Sequence, residues 1–543
     1  MRRALPLALL LSVFACSAPA VDDDDDSAPG PGPTVCEVLD LDARPWDAAG
    51  PYGTLRRDLM ADFTIALEDE DDWVFSDQWS GCESYVFLPD DLAVHQTNNT
   101  SLWLEGVQGL VERSPDNVHY FFISVAATAD GEDASTKPMK EAIDDYLGTL
   151  AETDADRAAW WSTRLHVARK RRASLDNDVE TILAGLGRRG FAVDRVQQVR
   201  GVGSFADVSR YIGGDGWPWE SNLAYAANEA QYFNFEANRQ AVLDSQDAAG
   251  EVTEIEVWND VILAEYEDTE VVFPDAATMA TFDRLEFSIE AFCPDANALE
   301  PGNCGAWDYL GYVWLYDEAN DAWLEMSRFI TPYHREATYV LDGTHALPWL
   351  ASGGAHTIRY SFAPPWNTQP TWTKFVVRLR DSGEPTPVAS AFLFGGGGFG
   401  STYNEGREPV TIEVPAGASR VEVQAIISGH GADYAQCAEF CNHQHEFTVD
   451  GEVYFHEHPE PGDQEGCSNS IEATGTVPNQ SGTWWFGRGG WCPGRAVDPI
   501  VFDVTEHAED GSVTVEYRGL FNGATPVDGS GNIEMRSWLV VYE

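Results

Sequence analysis

The chain has 543 residues, of which 43% are hydrophobic and 22% charged, enough apolar material for two to four cored domains. Acidic residues outnumber basic ones 89 to 33, giving a formal charge of −56, and lysine occurs only at Lys137, Lys140, Lys170 and Lys374. Such a field repels phosphate backbones and anionic lipid surfaces, which argues against nucleic acid as a partner.

Residues 1–16 read as an export signal: Arg2 and Arg3 precede an apolar run from Ala4 to Phe14 that is too short to span a bilayer. Val13-Phe14-Ala15-Cys16 resembles a bacterial lipobox, which predicts lipidation of Cys16 and a cell-envelope or cell-surface lipoprotein. Plain secretion after an ordinary signal peptide is the alternative. Residues 17–35 carry the acidic run Asp22 to Asp26 among prolines and glycines and read as a polar tether, so the membrane is met only through the lipid.

Setting Cys16 aside from the nine cysteines leaves eight: Cys36, Cys82, Cys293, Cys304, Cys437, Cys441, Cys467 and Cys492. An even number in an exported chain implies disulfides, and near neighbours in sequence suggest 36–82, 293–304, 437–441 and 467–492 among the 105 possible connectivities. No CxxC pair occurs, so neither a zinc ribbon nor a thioredoxin-type redox motif is indicated.

From 36 to 250 the pattern mixes strands with helices. Residues 62–67, 84–88 and 119–125 read as strands, and 103–112, 139–150, 155–174 and 225–242 as helices. The strand, helix, strand order faintly resembles the thioredoxin-like fold, with Cys82 before its strand instead of after it. That implies an α/β domain without redox chemistry. The basic cluster Arg169-Lys170-Arg171-Arg172 reads as one exposed helical face.

After 251 the texture changes to short alternating strands, as at 253–257, 285–289, 312–316, 375–379, 421–427, 513–517 and 538–542. A Gly/Pro/Ser break at 381–390 divides them into two consecutive antiparallel sandwiches, 251–385 and 386–543. The Gly395 to Gly400 run matches GxGxxG only superficially, lacking a βαβ context, and reads as a loop. Asn98, Asn99 and Asn479 sit in N-x-[ST] sequons that are expected to carry no glycan.

The densest signal is Cys437-Ala438-Glu439-Phe440-Cys441. A disulfide across three residues closes a small ring and would hold Glu439 in one backbone conformation, which suits substrate positioning or acid/base work. Together with Cys304-Gly305-Ala306-Trp307-Asp308, Arg328-Phe329-Ile330-Thr331-Pro332-Tyr333, Ile427-Ser428-Gly429-His430-Gly431, Asn479-Gln480-Ser481 and Arg488-Gly489-Gly490-Trp491-Cys492-Pro493-Gly494, it makes residues 253–543 resemble the peptide-N-glycosidase F family. Members of that family are bacterial amidases that remove N-linked glycans from asparagine.

The resemblance implies a mainly β fold of two adjoining jelly-roll sandwiches behind the α/β domain. It also implies a monomer acting on N-glycosylated proteins or glycopeptides without a cofactor. By the same resemblance Asp308 and Glu439 are the catalytic pair, with Arg488, Trp307, His430, Trp491 and Phe362 lining the glycan cleft. It implies the pairings 293–304, 437–441 and 467–492 as well. The chain departs from the family at Phe362, where a third carboxylate is expected, at Tyr309, where an arginine usually follows the aspartate, and at His430, which replaces a cleft tryptophan. A non-catalytic glycan- or protein-binding module on the same fold is therefore a competing reading. A third places copper, as in copper monooxygenases, on His443 and His445 with His456 and His458, because alternating residues of a strand share one face.

Overall fold

The computed structural model describes residues 33–92, 103, 106–186, 189–203, 223–431 and 438–543. The export segment, Cys16, Asn98, Asn99 and Cys437 lie outside the described residues.

In the N-terminal region a disulfide joins Cys36, in the helix Val35–Leu39, to Cys82. A two-stranded hairpin of β1 (Thr64–Ile65) and β2 (Trp73–Val74) follows. Next comes a sheet of β3 (Ser84–Asp90), β4 (Val118–Ser124), β5 (Leu165–Val167), β6 (Phe191–Val193) and β7 (Val199–Gly201), in the order β5-β4-β3-β6-β7. β3, β4 and β5 run parallel, whereas β6 is antiparallel to β3 and β7 to β6. Both faces are covered. Val86, Leu88, Tyr120 and Phe122 enter one core while Tyr85, Phe87, Phe121 and Ile123 enter another, which is why β3 and β4 read as continuous apolar runs.

Two expectations here are corrected. Helix Ala155–Ser162 stops well before 174, because Leu165-His166-Val167 is a buried strand paired with Tyr120 to Phe122 of β4. The basic cluster consequently lies in the bend after β5, with only Arg172 entering the short 3-10 helix Arg172–Ser174, and Arg171 donates to the carbonyls of Ala126 and Ala127.

The first sandwich comprises β8 (Val252–Leu263), β9 (Tyr266–Asp275), β10 (Arg284–Phe292), β11 (Leu310–Asp317), β12 (Ala322–Ile330), β13 (Ala337–Asp342), β14 (Gly353–Ser361) and β15 (Thr371–Arg380). The second comprises β16 (Pro387–Gly398), β17 (Val410–Glu413), β18 (Arg420–His430), β19 (His443–Val449), β20 (Glu452–Glu457), β21 (Ile500–Asp503), β22 (Ser512–Phe521) and β23 (Asn532–Tyr542). Sheets β13-β10-β15-β8 and β12-β11-β14-β9 build the first; β16-β23-β18-β21 and β17-β22-β19-β20 build the second. Counting strands from one to eight within each sandwich, both sheet pairs follow the orders 1-8-3-6 and 2-7-4-5, which is the jelly-roll connection. Gly395 to Gly398 belong to β16 and not to a loop. A side chain on Gly396 would lie 1.8 Å from the Ile533 carbonyl oxygen, so only glycine allows that strand its close approach to β23.

Arg328 of β12 pins the two sandwiches together. Its fully buried guanidinium pairs with Glu325 and donates to Ser428 Oγ at 3.0 Å and the Glu534 carbonyl at 2.8 Å. Ile330, Ile426, Trp491, Val497, Trp538, Val540 and Tyr542 form a small apolar cluster at the same seam.

Candidate functional site

Asp308 stands two residues before β11, in a segment fixed at one end by the Cys293–Cys304 disulfide. Thr331 fixes the other end: its hydroxyl donates to the Trp307 carbonyl at 2.7 Å and accepts from the Tyr309 amide at 2.8 Å. Glu439 comes from the β18–β19 connection. Its amide donates to the Gly431 carbonyl at 3.2 Å, and its own carbonyl accepts from the Gly489 amide at 2.7 Å. That bond stitches Glu439 to the irregular segment carrying Arg488, which the Cys467–Cys492 disulfide closes. Gly489 is obligatory there: a Cβ would sit 2.2 Å from His443 Nε2.

One guanidinium joins the two acids. Arg488 Nη2 lies 3.4 Å from Asp308 Oδ2 and Nε lies 3.3 Å from Glu439 Oε1, and the arginine side chain is wholly buried while the acids are 16% and 20% exposed. The remaining guanidinium protons go to the Trp484 and Phe486 carbonyls and to Thr483 Oγ1. Trp491 and Phe440 face its charge at 4.7 and 5.1 Å. Burial raises the Asp308 carboxyl above the ordinary carboxylate range despite Arg488 and a hydrogen bond from Tyr333. Burial also raises Glu439, with Arg488 opposing and the Asp308 charge adding to the rise. Both carboxyls therefore keep a proton to higher pH than free acids do, which suits one of them to acid/base work.

The other expected cleft residues divide. Trp307 is 53% exposed beside Asp308. His430 stacks on Trp491 at 5.1 Å, and burial holds it neutral, down to about 3. Trp491 is itself buried, donating to the Gly429 carbonyl at 2.7 Å, and forms a floor beneath Arg488 instead of a free wall. Phe362 is a correction. At 2% exposure it stacks on Tyr360 within the first sandwich's core, where a sugar cannot reach it, because the chain after β14 folds inward and is held to the Glu265 carbonyl.

Sequence reasoning missed Tyr333, Thr483 and Trp366. Trp366, 78% exposed, meets Tyr309 edge to face at 5.9 Å, while the neighbouring Asn367 donates to the Tyr309 hydroxyl at 2.6 Å. Its signal was available as a tryptophan in a Pro/Asn loop with no apolar periodicity around it.

Cys36–Cys82, Cys293–Cys304 and Cys467–Cys492 are bonded, and Cys441 is also in a disulfide. Asn479 is buried, with its amide on the Tyr225 carbonyl and Glu229. A glycan on it has no room.

Among the described residues, the buried His443, His445 and His458 offer ligand nitrogens within 4.8 Å of one another. His443 Nδ1 and His445 Nε2 are 2.7 Å apart, however, and His445 Nδ1 is 2.8 Å from the Tyr517 hydroxyl. Two nitrogens on a tetrahedral ion with 2.0–2.1 Å bonds would be about 3.3 Å apart. As placed, Tyr517, His445 and His443 form a hydrogen-bonded chain, while His458 bonds His456.

Fold and site together define a class: a double jelly-roll protein in which a carboxylate from each sandwich converges on one buried arginine. The family model for peptide-N-glycosidase F, C terminal, matches residues 399–540. Peptide-N(4)-(N-acetyl-beta-D-glucosaminyl)asparagine amidase F of Elizabethkingia miricola is 25% identical over 279 residues, covering 46% of this chain and 72% of that protein. Among solved structures, the crystal structure of a peptide-N(4)-(N-acetyl-beta-D-glucosaminyl)asparagine amidase aligns with a TM-score of 0.43 at 20% identity, over 54% of this chain and 96% of that one. PNGF-II aligns with a TM-score of 0.38 at 13% identity, over 56% and 66%. The double-sandwich region is thus related to the peptide-N-glycosidase F family.

Proposed function

We propose that this protein is an amidohydrolase that cleaves the glycosylasparagine amide of N-linked glycoproteins, releasing the glycan as a glycosylamine and leaving aspartate. The observation that carries the reading is the pair of raised carboxyls, Asp308 and Glu439, on the single buried cation Arg488. One carboxylate, assigned here to Asp308, takes a proton from a water as its oxygen attacks the amide carbonyl. The other, Glu439, gives a proton to the departing nitrogen as the C–N bond breaks, so that water is consumed and no net proton is lost. Burial and the mutual repulsion of the two carboxylates favour a proton on one of them, while Arg488 offsets the charge of the one left ionised.

Trp307 and Trp366, both exposed on the Asp308 side, offer apolar faces of the kind that stack on sugar rings. The expected partner of Cys441 is Cys437, which would lock the backbone on both sides of Glu439. Export as a lipid-anchored protein through Cys16 fits a disulfide-bonded enzyme acting on glycoproteins outside the cell. The test is incubation of the purified protein with a denatured glycopeptide in ¹⁸O-labelled water. Conversion of the glycosylated Asn to Asp carrying one heavy oxygen supports the reading, and an unchanged glycopeptide refutes it.

A further inference from the structure

Among the described residues before Val252 no hydrogen bond or ion pair reaches Asp308, Glu439 or Arg488, yet the core of this region does not end at its own boundary. Val86, Leu110, Tyr225, Ala226, Ala230 and Phe233 share one continuous apolar cluster with the first sandwich and with Ile471, Val477, Trp484 and Trp485, the residues around the Arg488 segment. The helix Ala227–Ala249 lies at the centre of this junction, and its first turn is buried at Asn228 and Glu229.

Glu229 is the hub. Its carboxylate accepts from the Gly203 amide at 2.8 Å and Asn479 Nδ2 at 2.9 Å, and from Arg335 Nη1 and Nη2 at 3.1 and 3.2 Å. Arg335 in turn donates to the Pro478 carbonyl at 2.6 Å. Asn479 adopts a left-handed backbone, φ 46°, a conformation asparagine tolerates and a partnered side chain fixes. Its neighbour Gln480 accepts from the Tyr333 amide at 2.8 Å and donates to the Val477 and Pro493 carbonyls at 2.7 and 2.8 Å, and the Tyr333 hydroxyl bonds Asp308. A second clamp is Arg113, which donates to Asn228, Glu465, Ser468 and Asn469 next to the Cys467–Cys492 bridge. Phe235 fills the space where a Cβ on Gly475 would stand, 2.1 Å away.

We infer that the N-terminal α/β domain is a positioning element of the site: through Glu229 and Arg113 it holds the 467–495 segment in the conformation that aims Arg488 at Asp308 and Glu439. The segment has only one short helix of its own, Ile471–Thr474, and no strand, so the external partners set its shape. Glu229 is a positioning residue, reaching Asp308 through Asn479, Gln480 and Tyr333. The catalytic consequence rests on the proposed amidase reading; the conformational one does not.

The experiment compares the full-length protein with Glu229→Gln and Arg113→Gln by hydrogen exchange and, where the wild type is active, by steady-state kinetics. Amide exchange across 477–495 is expected to quicken about tenfold or more in Glu229→Gln, with the β3 and β4 peptides unchanged, because a charge-assisted hub is lost locally. Arg113→Gln should quicken 465–475 in the same way, and in an active enzyme both variants should lower kcat more than they raise KM. Unaltered exchange in 465–495, or an equal rise throughout the chain, overturns the inference. A wild type inactive on glycopeptides refutes the amidase reading and leaves the exchange result to decide this one.

Discussion

Replacing Arg488 with methionine removes the only cation described in contact with the two acids while keeping an apolar stem for Trp491 and Phe440 to pack on. The cost divides into two parts with different pH behaviour. Taking an opposite charge away raises each neighbouring carboxyl by about one pKa unit or more, and each unit is about 1.4 kcal/mol, so the two acids together account for about 3 kcal/mol when both are ionised. The lost bonds to Trp484, Phe486 and Thr483 add roughly 1–2 kcal/mol at any pH once the methionine packs. The sum, about 4–5 kcal/mol, falls in the range for breaking a buried pair, and the partial exposure of both acids favours the lower end. Folded carboxyls with raised pKa values lose stability as pH rises above their ordinary values of 3.8 and 4.5, and the variant loses more than wild type. Urea unfolding at about pH 8 and about pH 5 should therefore give a smaller deficit in acid, the difference reaching at most about 3 kcal/mol. Buried histidines common to both proteins cancel in that difference. A deficit equal at the two pH values, or larger in acid, would refute the shared-cation account.

Asp308→Asn and Glu439→Gln should each lower glycopeptide hydrolysis about a hundredfold or more without lowering the melting temperature at neutral pH, since each replaces an acid whose ionised form burial disfavours. His443, held down to about 3 by burial, stays neutral in the fold but titrates near 6.5 when unfolded. Its contribution is present above pH 6.5 and falls as pH drops, by about 2 kcal/mol at pH 5, so His443→Gln should flatten the acid limb of a melting-temperature profile. Phe362→Glu, which places a carboxylate in the core, should destabilise the protein by several kcal/mol, about 3 or more, and add no activity when thermal unfolding and hydrolysis are measured together. Trp366→Ala should leave the melting temperature within experimental error while weakening glycopeptide binding measured calorimetrically, by about tenfold if the ring stacks on a sugar.

The sequence by itself marked strands in both sandwiches, because alternation of apolar and polar residues along β10, β11 and β22 is the direct imprint of one face turned to a core, although the glycines of β16 hid that strand's end. It also marked Glu439 through the cysteines on either side of it, whereas Asp308 and Arg488 were implied by the family resemblance of the motifs that carry them. Short buried strands such as Leu165–Val167 escaped it, since three apolar residues carry no period that separates strand from helix. Phe362 escaped it for a different reason: counting along a chain gives a position, but only the inward turn after β14 says which way that position faces. Tertiary structure alone brought Asp308 within 3.4 Å of a guanidinium 180 residues later, and joined Glu229 to Asn479 across 250 residues. The motifs around Asp308, Asn479 and Arg488 do not say which groups meet across the fold. The meaning of those contacts arises from burial, which strengthens a charge pair or a hydrogen-bonded carboxylate by removing water, and burial is a property of the packed fold and not of the residues one at a time.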